Sequence, residues 1–250
     1  MAGRPLMLVL GISTATAQVG CAIGGHEGVI ASFQSSKGKR HAETLAPAIE
    51  FLTTQARVPL REISAVAVDI GPGLFTGLRV GVSTAKALAS TLRVPMIGVT
   101  SLDLLAFPVR WSDRRIVSVV DARRDEVFFS FYRQVPGGVQ RLSPYRVGSP
   151  GELCSEIQAV GGEVLAVGDG AIRYRHDLAE LTRVEVGDGV LAFPSPGSLV
   201  ELAHAKALRE EFVQPWDLEP IYLRKADAEI SWKVRERPTD PTGDEQGAGR

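Results

Sequence analysis

A glycine-rich turn between an apolar run and a helix-forming run holds the residues most suited to chemistry. Gly71 and Gly73 flank a proline, and Thr76 stands where its hydroxyl can cap the first turn of a helix. A strand that leads into glycines and a helix N-terminus can direct several backbone N–H groups at one anion. The spacing is not the dinucleotide-binding pattern, and no Lys-Ser/Thr pair follows, so the turn is not a P-loop. It is therefore either a phosphate-binding turn or a plain tight turn.

Other polar residues end predicted strands. Thr14 and Thr16 follow the first strand, where their hydroxyls either contact a phosphate or cap the turn to the next strand. Asp69 ends the strand before the glycine turn and is the carboxylate that we retain as a candidate site residue. Asp121 and Asp169 also end strands, but aspartate favours such positions for backbone reasons. No Ser/His/Asp or Cys/His set follows from the spacing.

The histidines and cysteines give no metal-binding pattern. The chain has four histidines and two cysteines, and none of them form a pair with the spacing of metal ligands. Cys21 and Cys154 lie in apolar runs, which is typical of a protein from the reducing cytosol. We therefore expect no metal site and a cytoplasmic location.

The composition is that of an ordinary globular protein. The 250 residues are 44% hydrophobic and 23% charged, with a formal net charge of -1, so the charge balance does not indicate nucleic-acid binding. No apolar run approaches the roughly 20 residues that span a bilayer. The chain has four short basic clusters, each of which is either a surface loop or a tRNA contact: Lys37–Arg40, Arg114-Arg115, Arg123-Arg124 and Arg173/Arg175.

The first half of the chain alternates strands and helices, and the second half is less regular. The predicted strands are Leu6–Ser13, Val19–Ile23, Val29–Ser35, Ile63–Asp69, Met96–Val99, Ile116–Val120, Glu126–Arg133 and Val164–Val167. The predicted helices are Ala42–Ala56, Thr76–Leu92 and Ser198–Glu211. Residues 234–250 are charged and rich in proline and glycine, so we expect a disordered tail there.

One helix carries a stripe of small residues. Gly77, Gly81 and Ala85 recur every fourth residue, which places them on one helix face and permits a close approach. That face meets either another helix of a partner or the sheet of its own lobe.

Several longer motifs resemble one known group of proteins. The segment GPGLFTGLRVGVSTAKALA, from Gly71 to Ala89, resembles the signature shared by the paralogous TsaD and TsaB (YeaZ) families. These families belong to the sugar-kinase/Hsp70/actin superfamily and take part in making threonylcarbamoyladenosine next to the anticodon of tRNA. The resemblance runs from about Leu8 to Arg224 and includes these further motifs: HAETLAP at His41–Pro47, PMIGVTSLDLLA at Pro95–Ala106, DARRDEVF at Asp121–Phe128, GDG at Gly168–Gly170 and PIYLR at Pro220–Arg224.

Two positions separate the paralogues. TsaD-type sequences carry two histidines, four residues apart, where this chain has Ser101 and Leu105. A leucine cannot bind a metal, so the chain resembles TsaB, the paralogue that is not regarded as the catalyst. TsaB sequences also commonly have an aspartate at the end of the first strand, whereas this chain has Ser13. A hydroxyl is a weaker ligand for hard cations than a carboxylate.

The resemblance implies an α/β, actin-like fold of two lobes with mixed sheets and flanking helices. We place the lobes at residues 1–105 and 106–233, with the last helix of the second lobe packing back on the first. The implied function is that of a non-catalytic dimerisation scaffold for a TsaD-type subunit, with a TsaE-type ATPase as a further partner and a homodimer as the alternative assembly. The implied contact is a four-helix interface that includes these residues: Leu45, Ile49, Leu52, Gly77, Leu78, Gly81 and Ala85.

We expect no cofactor on the chain alone and ATP at the level of the complex. Two other functions remain open at this point. One is a stand-alone ATPase or phosphotransferase that uses the cleft between the lobes, although Ser13 in place of an aspartate argues against it. The other is a homodimeric binding protein unrelated to tRNA.

Overall fold

The first sheet has five strands, of which all but β3 are almost entirely buried. The computed structural model describes residues 7–36 and 41–224. The order across the sheet is β3-β2-β1-β4-β5, with β1, β2 and β3 antiparallel and β1, β4 and β5 parallel. The strands are β1 (Val9–Ser13), β2 (Val19–Gly25), β3 (Gly28–Ser35), β4 (Ala65–Asp69) and β5 (Met96–Val99).

The second sheet repeats this topology. Its order is β11-β10-β6-β7-β8, again with an antiparallel meander on one side and parallel strands on the other. A further short strand, β9, pairs with β7. The strands are β6 (Arg115–Arg123), β7 (Glu126–Val135), β8 (Gly138–Arg141), β9 (Arg146–Gly148), β10 (Val164–Val167) and β11 (Val184–Val186). The predicted α/β fold with two mixed sheets is confirmed.

Seven α-helices cover the sheets. The helices are α1 (His41–Ala56), α2 (Phe75–Leu92), α3 (Ser101–Ala106), α4 (Pro150–Val160), α5 (Asp169–Arg173), α6 (Arg175–Ala179) and α7 (Pro196–Leu208), and this count covers the described ranges alone. Helices α1 and α2 pack on one face of the first sheet, and α7 packs on the other. Helix α3 leaves β5 and packs against the second sheet, so it joins the two halves.

The alternation along the strands explains the layers. Leu10 and Ile12 of β1 point toward α1 and α2, while Val9 points toward α7, as the period of two in a strand requires. Although α7 follows the second sheet in the chain, Leu199 and Val200 pack on the first sheet. The division of the chain near residue 105 stays a prediction.

Several predicted boundaries move by one to three residues. Strand β4 begins at Ala65 rather than Ile63, and α7 spans Pro196–Leu208 rather than 198–211. The prediction that Thr76 caps α2 is wrong: Leu74 is the N-cap residue, and its side chain makes no capping bond. Thr76 lies inside the first turn, because the helix starts one residue earlier than expected.

The sequence pattern did not predict α3, α4, α5 or α6, nor strands β8, β9 and β11. The expected tail at 234–250 lies outside the described residues. Within the described ranges, no helix is long and apolar enough to cross a membrane.

Candidate functional site

A buried carboxylate lies at the carboxyl edge of the first sheet. Because β1 and β4 are parallel neighbours, their last residues, Ser13 and Asp69, come together. The Ser13 hydroxyl donates to one Asp69 oxygen at 2.9 Å, and the Ser101 hydroxyl donates to the other at 2.6 Å. The backbone N–H of Gly71 adds a third bond at 3.0 Å. Asp69 is only 1% exposed, so these protein donors enclose it.

Burial dominates the electrostatics of Asp69. Desolvation disfavours the charged carboxylate and raises the pKa of Asp69 to about 6, although the bonds from Ser101, Gly71 and Ser13 act in the opposite direction. A raised pKa is typical of general bases, but a base must reach the proton that it takes. The enclosed Asp69 has no open face for a substrate, so the arrangement is a structural hydrogen-bond centre.

The two positions that hold histidines in TsaD-type sequences do not fit a metal ion. The Ser101 hydroxyl is engaged by Asp69, and Leu105 is buried in the core between α3 and the second sheet. Within residues 7–36 and 41–224, no group of three or more His, Cys, Asp or Glu side chains could hold a metal. We therefore derive no step through a metal.

The glycine turn packs against the chain itself. A Cβ at Gly73 would lie 2.1 Å from the carbonyl oxygen of Ala15, and the N–H of Leu74 donates to that oxygen at 2.7 Å. Gly71 has a φ of 90°, which glycine adopts at no steric cost. Its N–H is already bonded to Asp69. The turn is thus a close approach of two loops, which favours the tight-turn interpretation, and the phosphate contacts of Gly71 and Gly73 stay a prediction.

The two threonines after β1 are also engaged inside the protein. The Thr14 hydroxyl donates to the carbonyl oxygen of Gly77 at 2.7 Å, and the Thr16 hydroxyl accepts from the N–H of Gln18 at 3.3 Å. Both threonines are buried. These bonds favour the interpretation of Thr14 and Thr16 as turn residues, and their phosphate contacts stay a prediction. Thr76 is exposed in the first turn of α2, and its phosphate contact stays a prediction.

The small-residue stripe of α2 faces its own sheet. A Cβ at Gly77 would lie 2.1 Å from the Thr14 carbonyl oxygen, and one at Gly81 would lie 2.3 Å from the Thr14 hydroxyl. Ala85 is completely buried in the core of the first sheet. The prediction of these three residues as a partner surface is therefore wrong, since the space that they leave is filled by β1 and the turn after it.

The other predicted interface residues are buried as well. Four side chains lie in the interior of the first lobe: Leu45, Ile49, Leu52 and Leu78. Their spacing correctly indicated an apolar helix face, but that face packs on the sheet. The outer face of the α1–α2 layer is instead lined by other residues. Phe51 of α1 is 54% exposed, and Arg79 and Ser83 of α2 are exposed too.

One histidine joins the two helices to the turn after β1. His41 begins α1, and its Nε2 lies 2.9 Å from the carbonyl oxygen of Thr16. The loop between β1 and β2 therefore contacts the starts of both α1 and α2. The sequence shows only that His41 stands at a helix start and does not predict its contact with Thr16.

Asp121 and Asp169, at the carboxyl edge of the second sheet, are bonded to neighbouring groups of the protein. Asp169 accepts from the N–H of Asp121 at 3.0 Å, and burial raises the pKa of Asp169 to about 6. Asp121 pairs with Arg123 at 2.9 Å and with Arg173 at 3.1 Å. Asp121 and Asp169 thus hold the ends of β6 and β10 together.

Three of the basic clusters are at least partly neutralised. Arg114 pairs with Glu163 and Glu185, and Arg123 and Arg173 share Asp121. The fourth cluster, Lys37–Arg40, lies outside the described residues. In each of the other three clusters at least one arginine is therefore paired with a carboxylate.

Comparison with known proteins identifies relatives over most of the chain. The family model of TsaD, tRNA N6-adenosine threonylcarbamoyltransferase, matches residues 28–232. The chain is 29% identical to the tRNA threonylcarbamoyladenosine biosynthesis protein TsaB of Bacillus subtilis, over 90% of this chain and 98% of that protein. It is also 29% identical to the TsaB protein of Escherichia coli, over 91% and 97%.

A solved structure is similar in fold. YeaZ from Pseudomonas aeruginosa superposes with a TM-score of 0.77 at 26% identity, covering 87% of this chain and all of that one. The match spans both sheets, and the predicted actin-like α/β fold class is confirmed.

Proposed function

Because the chain belongs to the TsaD family of tRNA N6-adenosine threonylcarbamoyltransferases, in its TsaB (YeaZ) branch, we propose that it is the non-catalytic partner of a TsaD-type subunit. The branch acts in the biosynthesis of threonylcarbamoyladenosine in tRNA. In this proposal the chain supplies a binding surface, and the TsaD-type subunit supplies the chemistry.

The non-catalytic role is supported above all by the two positions at which TsaD-type sequences have histidines. The Ser101 hydroxyl donates a hydrogen bond to the buried Asp69, and Leu105 is part of an apolar core. The same carboxyl edge is where α/β sheets bind their ligands. Here the buried carboxylate at that edge accepts its hydrogen bonds from the protein itself, which supports a chain that keeps the fold without the reaction.

The outer face of the α1–α2 layer is the proposed contact with the TsaD-type subunit. The inner faces of both helices are used by the first sheet, so a partner can meet only the outer faces. Phe51 is a large aromatic side chain that is more than half exposed there. Exposed aromatics at the centre of an interface commonly contribute most of its binding free energy.

Further partners follow from the family. We propose that a TsaE-type ATPase joins the pair and that ATP acts at the level of this complex in the cytoplasm. A homodimer through the same outer face is the alternative assembly in the absence of the TsaD-type subunit. A direct tRNA contact is not part of the proposal, because the formal net charge of -1 does not favour nucleic-acid binding.

A stand-alone ATPase or phosphotransferase is the rival function. It requires an open cleft with an acidic residue at the end of β1. Ser13 occupies that position, and its hydroxyl donates a hydrogen bond to Asp69. The rival function therefore lacks the acidic ligand at the end of β1.

A reconstituted assay tests the proposal. The chain is incubated with ATP and Mg²⁺, alone and then with the TsaD-type and TsaE-type subunits and tRNA. We expect no ATP hydrolysis by the chain alone and modified tRNA only when the TsaD-type subunit is present. Hydrolysis by the chain alone, or modified tRNA without the TsaD-type subunit, contradicts the proposal.

A variant of the buried carboxylate sharpens the assay. Asp69→Asn, used at a temperature where it is folded, should support tRNA modification at nearly the wild-type level, because Asp69 touches no substrate. If the variant binds the TsaD-type subunit normally but the modification is lost, Asp69 has a chemical role and the non-catalytic account is wrong.

A further inference from the structure

The PIYLR motif lies at the end of a segment that contacts both halves of the molecule. We define residues 218–224 as the C-terminal strap. It starts in the first lobe, where Leu218 is only 3% exposed within the core that faces α1 and α2. Just before it, Val213 pairs with Met96 through two backbone bonds of 2.9 Å, which add the segment to the free edge of β5.

The middle of the strap lies on the carboxyl end of β4. The N–H of Ile221 donates to the carbonyl oxygen of Ile70 at 2.8 Å. A Cβ at Gly71 would lie 3.2 Å from the carbonyl oxygen of Ile221, so the two backbones touch. The Tyr222 ring packs on Phe75 with 5.2 Å between ring centroids. This part of the strap is therefore fixed to the turn that follows Asp69.

The end of the strap lies on the second lobe. Leu223 packs against the core formed by α3 and the second sheet. The Arg224 guanidinium pairs with Glu126 at 2.7 Å, at the start of β7. Glu126 is paired in register with Arg123, the last residue of β6. The strap thus runs from the carboxyl edge of one sheet to the carboxyl edge of the other.

We propose that the strap is a built-in clamp that holds the two lobes in one relative orientation and closes the cleft between their carboxyl edges. Ligands of α/β sheets bind outside such edges, and lobe movement about a cleft is how many such proteins respond to them. In this protein the C-terminal strap itself lies at the carboxyl end of β4. The lobes are then held by chain connectivity, by the α3 core and by the strap. Of these, the strap is the element that can be released without breaking the fold.

The clamp makes no use of a partner, so it is tested on the chain alone. Leu223→Asp places a charge in the core on the second lobe and should free the end of the strap. Glu219→Ala is the matched control, because Glu219 is an exposed residue of the same strap. Spin labels at Cys154 of α4 and at an introduced Glu27→Cys, in the turn after β2, report the distance between the lobes. Cys21 is completely buried and should not be labelled.

We expect the Leu223→Asp protein to melt cooperatively, with a broadened or shifted distance distribution between the labels. Amide hydrogen exchange at Ile221, whose N–H is bonded to Ile70, should rise by about tenfold or more, as for a segment that opens locally. The Glu219→Ala protein should match the wild type in both measurements. If Leu223→Asp does not fold, Leu223→Ala carries the same comparison.

A released strap with an unchanged distance distribution would show that the strap does not hold the lobes, and the proposal is then wrong. The double variant Leu223→Asp/Arg224→Glu decides the case in which the single variant leaves the exchange unchanged. If exchange and distance stay at the wild-type values in this double variant too, the contacts of Leu223 and Arg224 are not a clamp.

Discussion

At the scale of single residues, the account depends on Asp69 and the two serines that bind it. Serine stands at positions 13 and 101, at the end of β1 and at the start of α3. Both hydroxyls donate to the same carboxylate. A charged group that remains in this site must be satisfied by hydrogen bonds, because an unpaired buried carboxylate is very unfavourable.

The stability of the protein should depend on pH through Asp69. Its pKa is raised from 3.8 to about 6 by burial, so its contribution to stability is complete below about pH 4 and is lost as the pH rises through 6. An asparagine does not titrate. The free energy of unfolding of the wild type, minus that of Asp69→Asn, should therefore fall by about 3 kcal/mol between acidic and neutral pH.

Denaturant unfolding at a series of pH values measures this difference. The exposed Asp188, whose side chain makes no capping bond, gives a control variant for the loss of one carboxylate, Asp188→Asn. Parallel stability curves for the wild type and Asp69→Asn would show that burial does not govern Asp69. Asp169 has a raised pKa in all three proteins, so its contribution cancels.

A second prediction at this scale concerns metals. Because Ser101 and Leu105 leave no ligand pair on α3, the purified chain should contain no stoichiometric iron or zinc. Elemental analysis after gel filtration in a chelator-free buffer measures this. About one tightly bound transition-metal ion per chain would contradict the assignment of the chain to the TsaB branch.

At the scale of elements, helix α2 shows how a correct pattern can be assigned to the wrong contact. The recurrence of Gly77, Gly81 and Ala85 correctly indicates close approach. The element that approaches is β1 with the loop that follows it. The small residues are thus part of the strand–turn–helix unit that encloses Asp69.

Gly81 of α2 and Gly151 of α4 should respond in opposite ways to substitution by alanine. Gly81→Ala brings a Cβ to 2.3 Å from the Thr14 hydroxyl, and overpacking of this kind should reduce stability by about 1–3 kcal/mol. Gly151→Ala meets nothing closer than 3.9 Å, and alanine favours the helix by about 0.5–1 kcal/mol, so it should be neutral or stabilising. Chemical denaturation of the two variants measures the difference. If Gly81→Ala is as stable as the wild type, the stripe does not face the interior.

The sequence predicts the elements of the first sheet well, because alternation and helical spacing are local signals. The sequence does not predict whether an apolar helix face packs on its own sheet or on a partner, as Gly81 and Leu45 show. The short helices α5 and α6 escape detection because five residues carry no measurable period. Asp69 is found as a candidate, but its bonds to Ser13 and Ser101 join residues 56 and 32 positions apart. Such contacts arise from the parallel sheet order and have no local pattern.

At the scale of the whole molecule, one topology is used twice, and helices and a strap join the two copies. The first sheet is covered on both faces, so the outer face of α1 and α2 is the surface of a complete layer. A partner that binds there does not disturb the core. This arrangement suits a subunit whose function is to be bound.

The interface variant Phe51→Glu should separate binding from folding. Phe51 is already 54% exposed, so a glutamate there should change stability by no more than about 0.5 kcal/mol. Trp111 is 70% exposed in the turn before β6, outside α1 and α2, and Trp111→Glu is the matched control. Thermal melting of both variants establishes that each is folded.

Gel filtration of these proteins with the TsaD-type subunit, followed by a tRNA modification assay of the same fractions, tests whether the outer face of α1 and α2 binds that subunit. The account predicts that the wild type and Trp111→Glu elute with that subunit and support modification. It predicts that Phe51→Glu elutes separately and that modification is lost with it. A folded Phe51→Glu protein that still elutes with the TsaD-type subunit and supports modification at the wild-type level would contradict the account.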